Sequence, residues 1–246
     1  MSGGVARLVW GGLSAVCMGF SKTGVPGASI LAVVLMAQAY HEDAALSVGA
    51  LVPVLLVGDL FAVYLYAKYT AWDQLIKLFP SVALGLMGGV VLLHYVRGNA
   101  LRPILGVLVV AMFVLEVYRR ASADGHYGQK WWYVWLTGIL AGFATMVGNA
   151  AGPVMTMYLL SQNLPKDKFM GTTAVFFFTV NLLKIAPLAV EGMITPETMH
   201  FATFTVPMTL VGVGLGRWVF RLMSQNTFDM VALMLGGIGG VWLLLG

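Results

Sequence analysis

Ser21-Lys22-Thr23-Gly24-Val25-Pro26-Gly27 and Val147-Gly148-Asn149-Ala150-Ala151-Gly152-Pro153 decide how this chain is read. Each stretch follows an apolar run long enough to be a helix and precedes one that is too short. Glycine and proline free backbone groups that hydrocarbon cannot satisfy, so such a break is tolerated only where it is buried in protein or lines a wet cavity. The N-termini of the two following short helices would then aim N–H groups and positive dipole ends at a shared central spot. That geometry suits an anion. Kinks for close helix packing are the competing reading, and two breaks in corresponding places weigh against it.

The composition around these breaks says that water is not the main solvent. Hydrophobic residues make up 59% of the 246 and charged residues 10%, and the mean hydropathy is +0.87, values foreign to soluble globular chains. At about 20 residues per crossing the chain has room for about ten short membrane passages. The longest polar stretch runs only from Arg119 to Lys130, which leaves no extramembrane catalytic or nucleic-acid-binding domain. The formal charge of +4 comes from cations spread over separate loops, so topology explains it better than a polyanionic partner. A single cysteine, Cys17, excludes an internal disulfide or cysteine metal cluster and reads as packing. The N-terminal run passes into the first break instead of a cleavage site, so it is expected to remain as a helix.

Apolar runs bounded by charges or Gly/Pro clusters predict helices near 5–21, 27–40, 44–67, 75–96, 101–118, 131–147, 152–163, 168–190, 199–220 and 227–245. The second and seventh are too short for the roughly 30 Å hydrocarbon core and read as half-helices, either re-entrant or spanning. Lys68, Lys77, Arg119, Arg120, Lys130, Lys166, Lys168, Arg217 and Arg221 fall on one side, and Arg7, Arg97 and Arg102 on the other. The positive-inside rule makes the first side cytoplasmic and leaves both termini outside, in the periplasm of a Gram-negative cell.

The two halves repeat. Gly49 and Asp59 match Gly171 and Asn181 at an offset of 122, while Pro80, Gly85 and Gly89 match Pro207, Gly212 and Gly216 at 127. With five segments per half the second enters the membrane from the opposite face, as in the inverted repeats of secondary transporters. The expected fold is an all-α polytopic membrane protein: a first five-segment repeat over 1–120, a cytoplasmic linker over 121–130 and a second, inverted repeat over 131–246. The broken pairs would meet at the midplane.

Few residues can carry chemistry. The substrate-binding candidates are Ser21, Lys22, Thr23, Gly24 and Gly27 at the first break, Gly148, Asn149 and Gly152 at the second, and Asn181 with Lys184 on the eighth segment. A charge at the centre of a spanning helix is costly and should face protein or water, so each lysine either snorkels to an interface or contacts an anion. Asp59 pairs in the repeat with the neutral Asn181. This asymmetry makes Asp59 the proton-coupling candidate, with neutralisation of a lysine as the structural alternative. Trp131, Trp132, Tyr133 and Trp135 read as an interfacial belt, the Gly85 and Gly212 groups as helix-packing surfaces, and His94 as interfacial. Glu116 with Arg119 and Arg120 has the spacing of a surface ion pair. The methionines form no metal stripe, and no phosphate loop, catalytic triad or zinc spacing is present.

Gly19-Phe20-Ser21-Lys22-Thr23-Gly24-Val25-Pro26-Gly27 and Val57-Gly58-Asp59-Leu60-Phe61-Ala62-Val63 resemble the TauE/SafE family of sulfite exporters, and the likeness covers nearly the whole chain. The stretch 171–187 resembles that family's eighth segment, including Asn181 and Lys184, and Arg102 to Gly106 looks like a further family element. The resemblance implies transport of sulfite, or of an organosulfonate such as sulfoacetate or sulfolactate, across a bacterial inner membrane.

The resulting expectation is a proton-coupled secondary transporter that moves a small anion by alternating access, with a small anionic substrate and the lipid bilayer as partners and no cofactor, metal or nucleic acid. Internal symmetry makes a monomer sufficient, and a homodimer stays open. An anion channel using the same site is the first alternative. An intramembrane enzyme with Asp59 as acid is the second, and one carboxylate without a paired acid, metal set or nucleophile is a thin basis for it.

Overall fold

The computed structural model describes residues 2–41, 44–95 and 130–245, with isolated positions 110 and 114. The expected segment at 101–118, the Arg102 to Gly106 element, Arg97, the Glu116 cluster and most of the 121–130 linker lie outside the described residues. Within them the elements are α1 (Ser2–Thr23), α2 (Ser29–Ala39), α3 (Ala44–Tyr66), α4 (Trp72–Tyr95), α5 (Trp131–Gly148), α6 (Ala151–Ser161), α7 (Lys166–Leu183), α8 (Ile185–Val190), α9 (Pro196–Leu222) and α10 (Gln225–Leu245). A single 3₁₀ turn, Pro26–Ala28, leads into α2, and a second, Ala67–Tyr69, follows α3. No strand occurs among the described residues.

Six of these stretches are long and apolar enough to cross a membrane: Gly4–Thr23, Leu46–Tyr69, Trp72–His94, Trp131–Gly148, Lys166–Val190 and Pro196–Leu222. Their outer surface is correspondingly apolar, with Leu84, Met87, Val91, Val211, Leu215 and Trp218 among the exposed side chains. In lipid such a surface is solvated rather than aggregation-prone. α2 and α6 have 11 residues each, about 16 Å at 1.5 Å per residue, and neither covers the hydrocarbon core alone. Both helix breaks occur where glycine and proline predict them. Thr23 ends α1 before Gly24 and Val25, and Gly148 ends α5 before Asn149 in the left-handed region at φ 55°.

The run expected as one helix over 168–190 is two. Pro187 has no N–H to offer the Leu183 carbonyl and its ring crowds that carbonyl, so the helix divides at Lys184. The division places Lys184 at a joint instead of mid-helix.

Among the described residues two helix pairings, α1 with α9 and α4 with α5, form the most extensive contacts. Both depend on missing side chains. A Cβ on Gly85 would lie 2.1 Å from the Ile139 carbonyl oxygen, and one on Gly212 would lie 2.0 Å from that of Val16. In the reverse direction, Gly142 would meet the Val82 oxygen at 2.2 Å and Gly19 the Thr209 oxygen at 2.1 Å. Such backbone-to-backbone approach supplies the dense packing that holds helices together where no hydrophobic effect drives them. Between the two pairings α3 lies against α7. Gly49 at the start of α3 would meet the Met193 oxygen at 1.7 Å, and Gly171 near the start of α7 would meet the Tyr66 oxygen at 2.6 Å.

The two ends of the bundle differ in charge. At one end the ammonium of Lys166 donates to the Phe220 carbonyl at 3.2 Å and to that of Met223, while Arg217 sits 4.9 Å above the Tyr66 ring. Thr70 and Ala71 bond to Gly171 and Thr172 at that same end. Trp131, Trp132 and Trp135 at the start of α5 are all exposed. At the other end Arg7 pairs with Glu197 at 2.6 Å and covers Tyr40 at 4.1 Å, and His94 approaches Glu191 at 3.4 Å.

Candidate anion site between the two helix breaks

The two breaks face one small cavity lined by Ser21, Lys22, Pro26 and Ser29 from the first, Thr145, Asn149 and Gly152 from the second, Thr173, Phe177, Asn181 and Lys184 from α7 and its joint, and Met18 with Leu55. Both short helices start at this cavity, so their positive ends are directed at it.

Three ionisable side chains are buried here: Lys22 at 6% exposure, Lys184 at 1% and Asp59 at 0%. Neither lysine snorkels. Lys22 Nζ lies 2.6 Å from Asp59 Oδ1 and 4.3 Å from the centre of the Phe177 ring. The other carboxylate oxygen, Oδ2, accepts from Asn181 Nδ2 at 2.5 Å. Asp59 therefore stands just behind the cavity wall, bound to two residues that line it. Lys184 has a different environment. Its ammonium donates to Asn149 Oδ1 and reaches Thr145 Oγ1 at 3.4 Å, both neutral oxygens. Asn149 Nδ2 in turn donates to the Val48 carbonyl at 3.1 Å, which fixes the amide with its oxygen toward Lys184.

Two lysines therefore stand against one carboxylate, and these three are the buried charged side chains among the described residues. With Lys22, Lys184 and Asp59 all ionised, the pocket carries one positive charge that no described acid balances. Two further polar atoms beside it, Thr173 Oγ1 and Asn181 Oδ1, are buried without a hydrogen-bond partner among the described residues. Unpaired buried polar atoms cost free energy, and a ligand or water in the cavity would satisfy them. No group of three or more His, Cys, Asp or Glu able to hold a metal ion occurs among the described residues.

The remaining sequence candidates serve the frame around this cavity. Ser21 Oγ donates to the Pro26 carbonyl at 2.7 Å, tying the two sides of the first break together. Thr23 Oγ1 donates to the Val213 carbonyl at 2.8 Å, and the Thr23 carbonyl accepts from Tyr66 Oη at 2.7 Å, which satisfies the end of α1. Gly24 packs on Gly216, and Gly27 on Leu235. Gly148 has open space where a Cβ would stand. Of the candidates, Ser21, Lys22, Asn149, Gly152, Asn181 and Lys184 line the cavity, and Thr23, Gly24, Gly27 and Gly148 do not.

The chain matches the family described as sulfite exporter TauE/SafE over residues 11–243, nearly its whole length. It belongs to the TauE/SafE sulfite exporter family. No match was found among curated proteins, and none among solved structures. Family membership together with the apolar helices makes this exporter-family protein a multi-pass membrane protein of a transporter family.

Thr145, Thr173, Phe177 and Ser29 were not picked out from the sequence of this exporter-family chain, although a signal for three of them was available. Thr145 lies one helical turn before Asn149. Thr173, Phe177 and Asn181 recur every four residues, with Lys184 three further on, so all four share one face of α7 and its joint.

Proposed function

We propose that this protein is a secondary active transporter that moves a small anion across the bacterial inner membrane, with sulfite or an organosulfonate such as sulfoacetate or sulfolactate as substrate. The observation that carries the reading is the buried, unbalanced positive charge. Among the described residues Lys184 meets only neutral oxygens, at the meeting point of two broken helices. An ammonium without a counter-ion is costly to bury, and a site that completes itself by taking up an anion explains its presence. Lys22, Lys184, Ser21, Thr173 and the starts of α2 and α6 are the binding groups in this reading.

Alternating access by an inverted repeat is the proposed means of movement. Three reciprocal contacts support it: Gly85 on Ile139 with Gly212 on Val16, Gly142 on Val82 with Gly19 on Thr209, and Gly49 on Met193 with Gly171 on Tyr66. In each pair the two contacts exchange the halves at offsets of 122 to 127. The direct bond between the matched residues Asp59 and Asn181 is expected of groups near a pseudo-two-fold axis. Clustering of Lys68, Lys166, Arg217 and Arg221 near one end, with Arg7 at the other, favours a cytoplasmic position for the first end and periplasmic termini.

Asp59 is the proposed proton carrier, since it is the buried carboxylate in contact with the site. The test is flux of sulfite, sulfoacetate, sulfolactate and taurine into proteoliposomes, with and without a pH gradient. Transport of an anionic member accelerated by the gradient supports the reading. Conductance indifferent to the gradient would favour a channel, and absence of flux for all anions would defeat the proposal.

A further inference from the structure

Resting on the anion-transporter reading, we infer that the site selects its ligand by charge: a singly charged anion binds alone, and a doubly charged one binds only together with a proton on Asp59. The inventory of the pocket leads to this rule. Lys22 is neutralised by Asp59 at 2.6 Å, and Lys184 is the cation left over. One negative charge closes the balance. A dianion in the same place leaves an excess negative charge in a low-dielectric interior, where an unbalanced charge is far more costly than in water.

The structure offers one place where that excess can be removed. Among the described residues, the charged groups facing Asp59 are Lys22 from α1 and Lys184 from the α7 joint, with Asn181 as its hydrogen-bonding neighbour. A proton arriving from water on a carboxylate oxygen of Asp59 neutralises that group and frees Lys22. Both ammonium groups then face the ligand. No bond other than the O–H forms, and the site with dianion and proton is again neutral.

Asn181 gives the exchange a mechanical route. Its Nδ2 donates to Asp59 while its Oδ1 is buried without a partner among the described residues. Protonated Asp59 is a donor, so the amide can turn to accept from it and present its N–H groups elsewhere. The turned amide trades an acceptor for a donor beside the cavity, as a doubly charged ligand requires. By this rule hydrogen sulfite crosses as the bare ion, whereas sulfoacetate and sulfolactate, each with a sulfonate and a carboxylate, take a proton with them.

Methanesulfonate and sulfate test the rule, because both are tetrahedral sulfur oxyanions of similar size and differ by one charge throughout the neutral range. Their affinities for the purified full-length protein are measured by calorimetry across pH. Below neutral pH, where both lysines are already ionised, methanesulfonate binding is expected to be independent of pH, and sulfate binding to strengthen about tenfold for each unit by which pH falls, as uptake of one proton requires. Asp59→Asn leaves two unbalanced cations, so this variant should prefer sulfate to methanesulfonate and lose the pH dependence. Should that variant fail to fold, Lys22→Gln with Asp59→Asn removes the pair together and keeps one positive charge. It should retain the preference for methanesulfonate, and sulfate binding should no longer respond to pH. Sulfate binding by the natural protein that ignores pH, or an unchanged preference in Asp59→Asn, overturns the charge rule and leaves the anion site standing. Binding of neither anion to folded natural protein overturns the anion site and the rule with it.

Discussion

Exchanging the two buried lysines for methionine should separate binding from stability, because their surroundings differ although both are buried. Lys22 forms an ion pair with Asp59, whereas Lys184 donates to the neutral oxygens of Asn149 and Thr145. Lys22→Met leaves the Asp59 carboxylate with Asn181 and a more distant Lys184, and removal of one partner from a buried pair costs about 3 to 5 kcal/mol. Lys184→Met has two opposed effects. It strands Asn149 Oδ1, at about 1 to 3 kcal/mol, and removes the desolvation penalty of an unbalanced ammonium, which is several kcal/mol. The second term is the larger, so the Lys184→Met protein should melt at or above the temperature of the natural protein. Its anion affinity should fall by roughly 10- to 150-fold, the equivalent of a charge-assisted hydrogen bond of about 1.5 to 3 kcal/mol. Thermal unfolding in detergent and calorimetric anion titration on the same preparations measure both quantities. A Lys184→Met protein as destabilised as Lys22→Met, with affinity unchanged, would refute the assignment of Lys184 as the uncompensated cation.

Gly19→Val and Gly142→Val press on equivalent carbonyls at 2.1 and 2.2 Å and should each lower stability by about 1 to 3 kcal/mol. Gly148→Ala, with open space around it, should be neutral in the same melting assay. Asn149→Ala combines a left-handed backbone at φ 55° with loss of the bonds to Val48 and Lys184. Its anion affinity should drop at least tenfold, and Asn149→Gly should restore stability without restoring affinity. Lys22→Met with Asp59→Asn should be more stable than either single variant, since the pair leaves together. A reporter fused after Gly246 should be active outside the cytoplasm, and cytoplasmic activity would contradict the proposed orientation.

The helical course of the chain was legible because the bilayer enforces it. Runs such as 44–67 and 131–147 differ from the observed Ala44–Tyr66 and Trp131–Gly148 by one residue, since charges and Gly/Pro clusters mark membrane boundaries sharply. The division at Lys184 escaped that reading, because hydropathy does not register the local clash of Pro187 with Leu183. Lys22, Asn149, Asn181 and Lys184 stood out in the sequence as polar groups in apolar surroundings. Which lysine Asp59 would choose was not legible. Lys22 is 37 residues from it and Lys184 is 125, and only the packing of α1, α3 and α7 decides between them. Thr23 was drawn into the candidate set by its place in the motif, yet its hydroxyl faces Val213. A motif conveys proximity, and the direction of each side chain depends on the helix turn on which it falls.

The pairing of α1 with α9 and of α4 with α5 has a consequence for biogenesis. Ribosomal order makes α1 well before α9, and the surface that fits its glycine groove does not emerge until Pro196–Leu222 has been made. Until then Gly19 has no neighbouring backbone to receive. Lys22 and Asp59 can neutralise each other as soon as α3 is inserted, so neither stands as a bare buried charge in the early intermediate. Lys184 arrives afterwards, on the segment made just before α9. The costly cation is thus made only after Asn149 and Thr145, the two side chains that receive it in the folded protein.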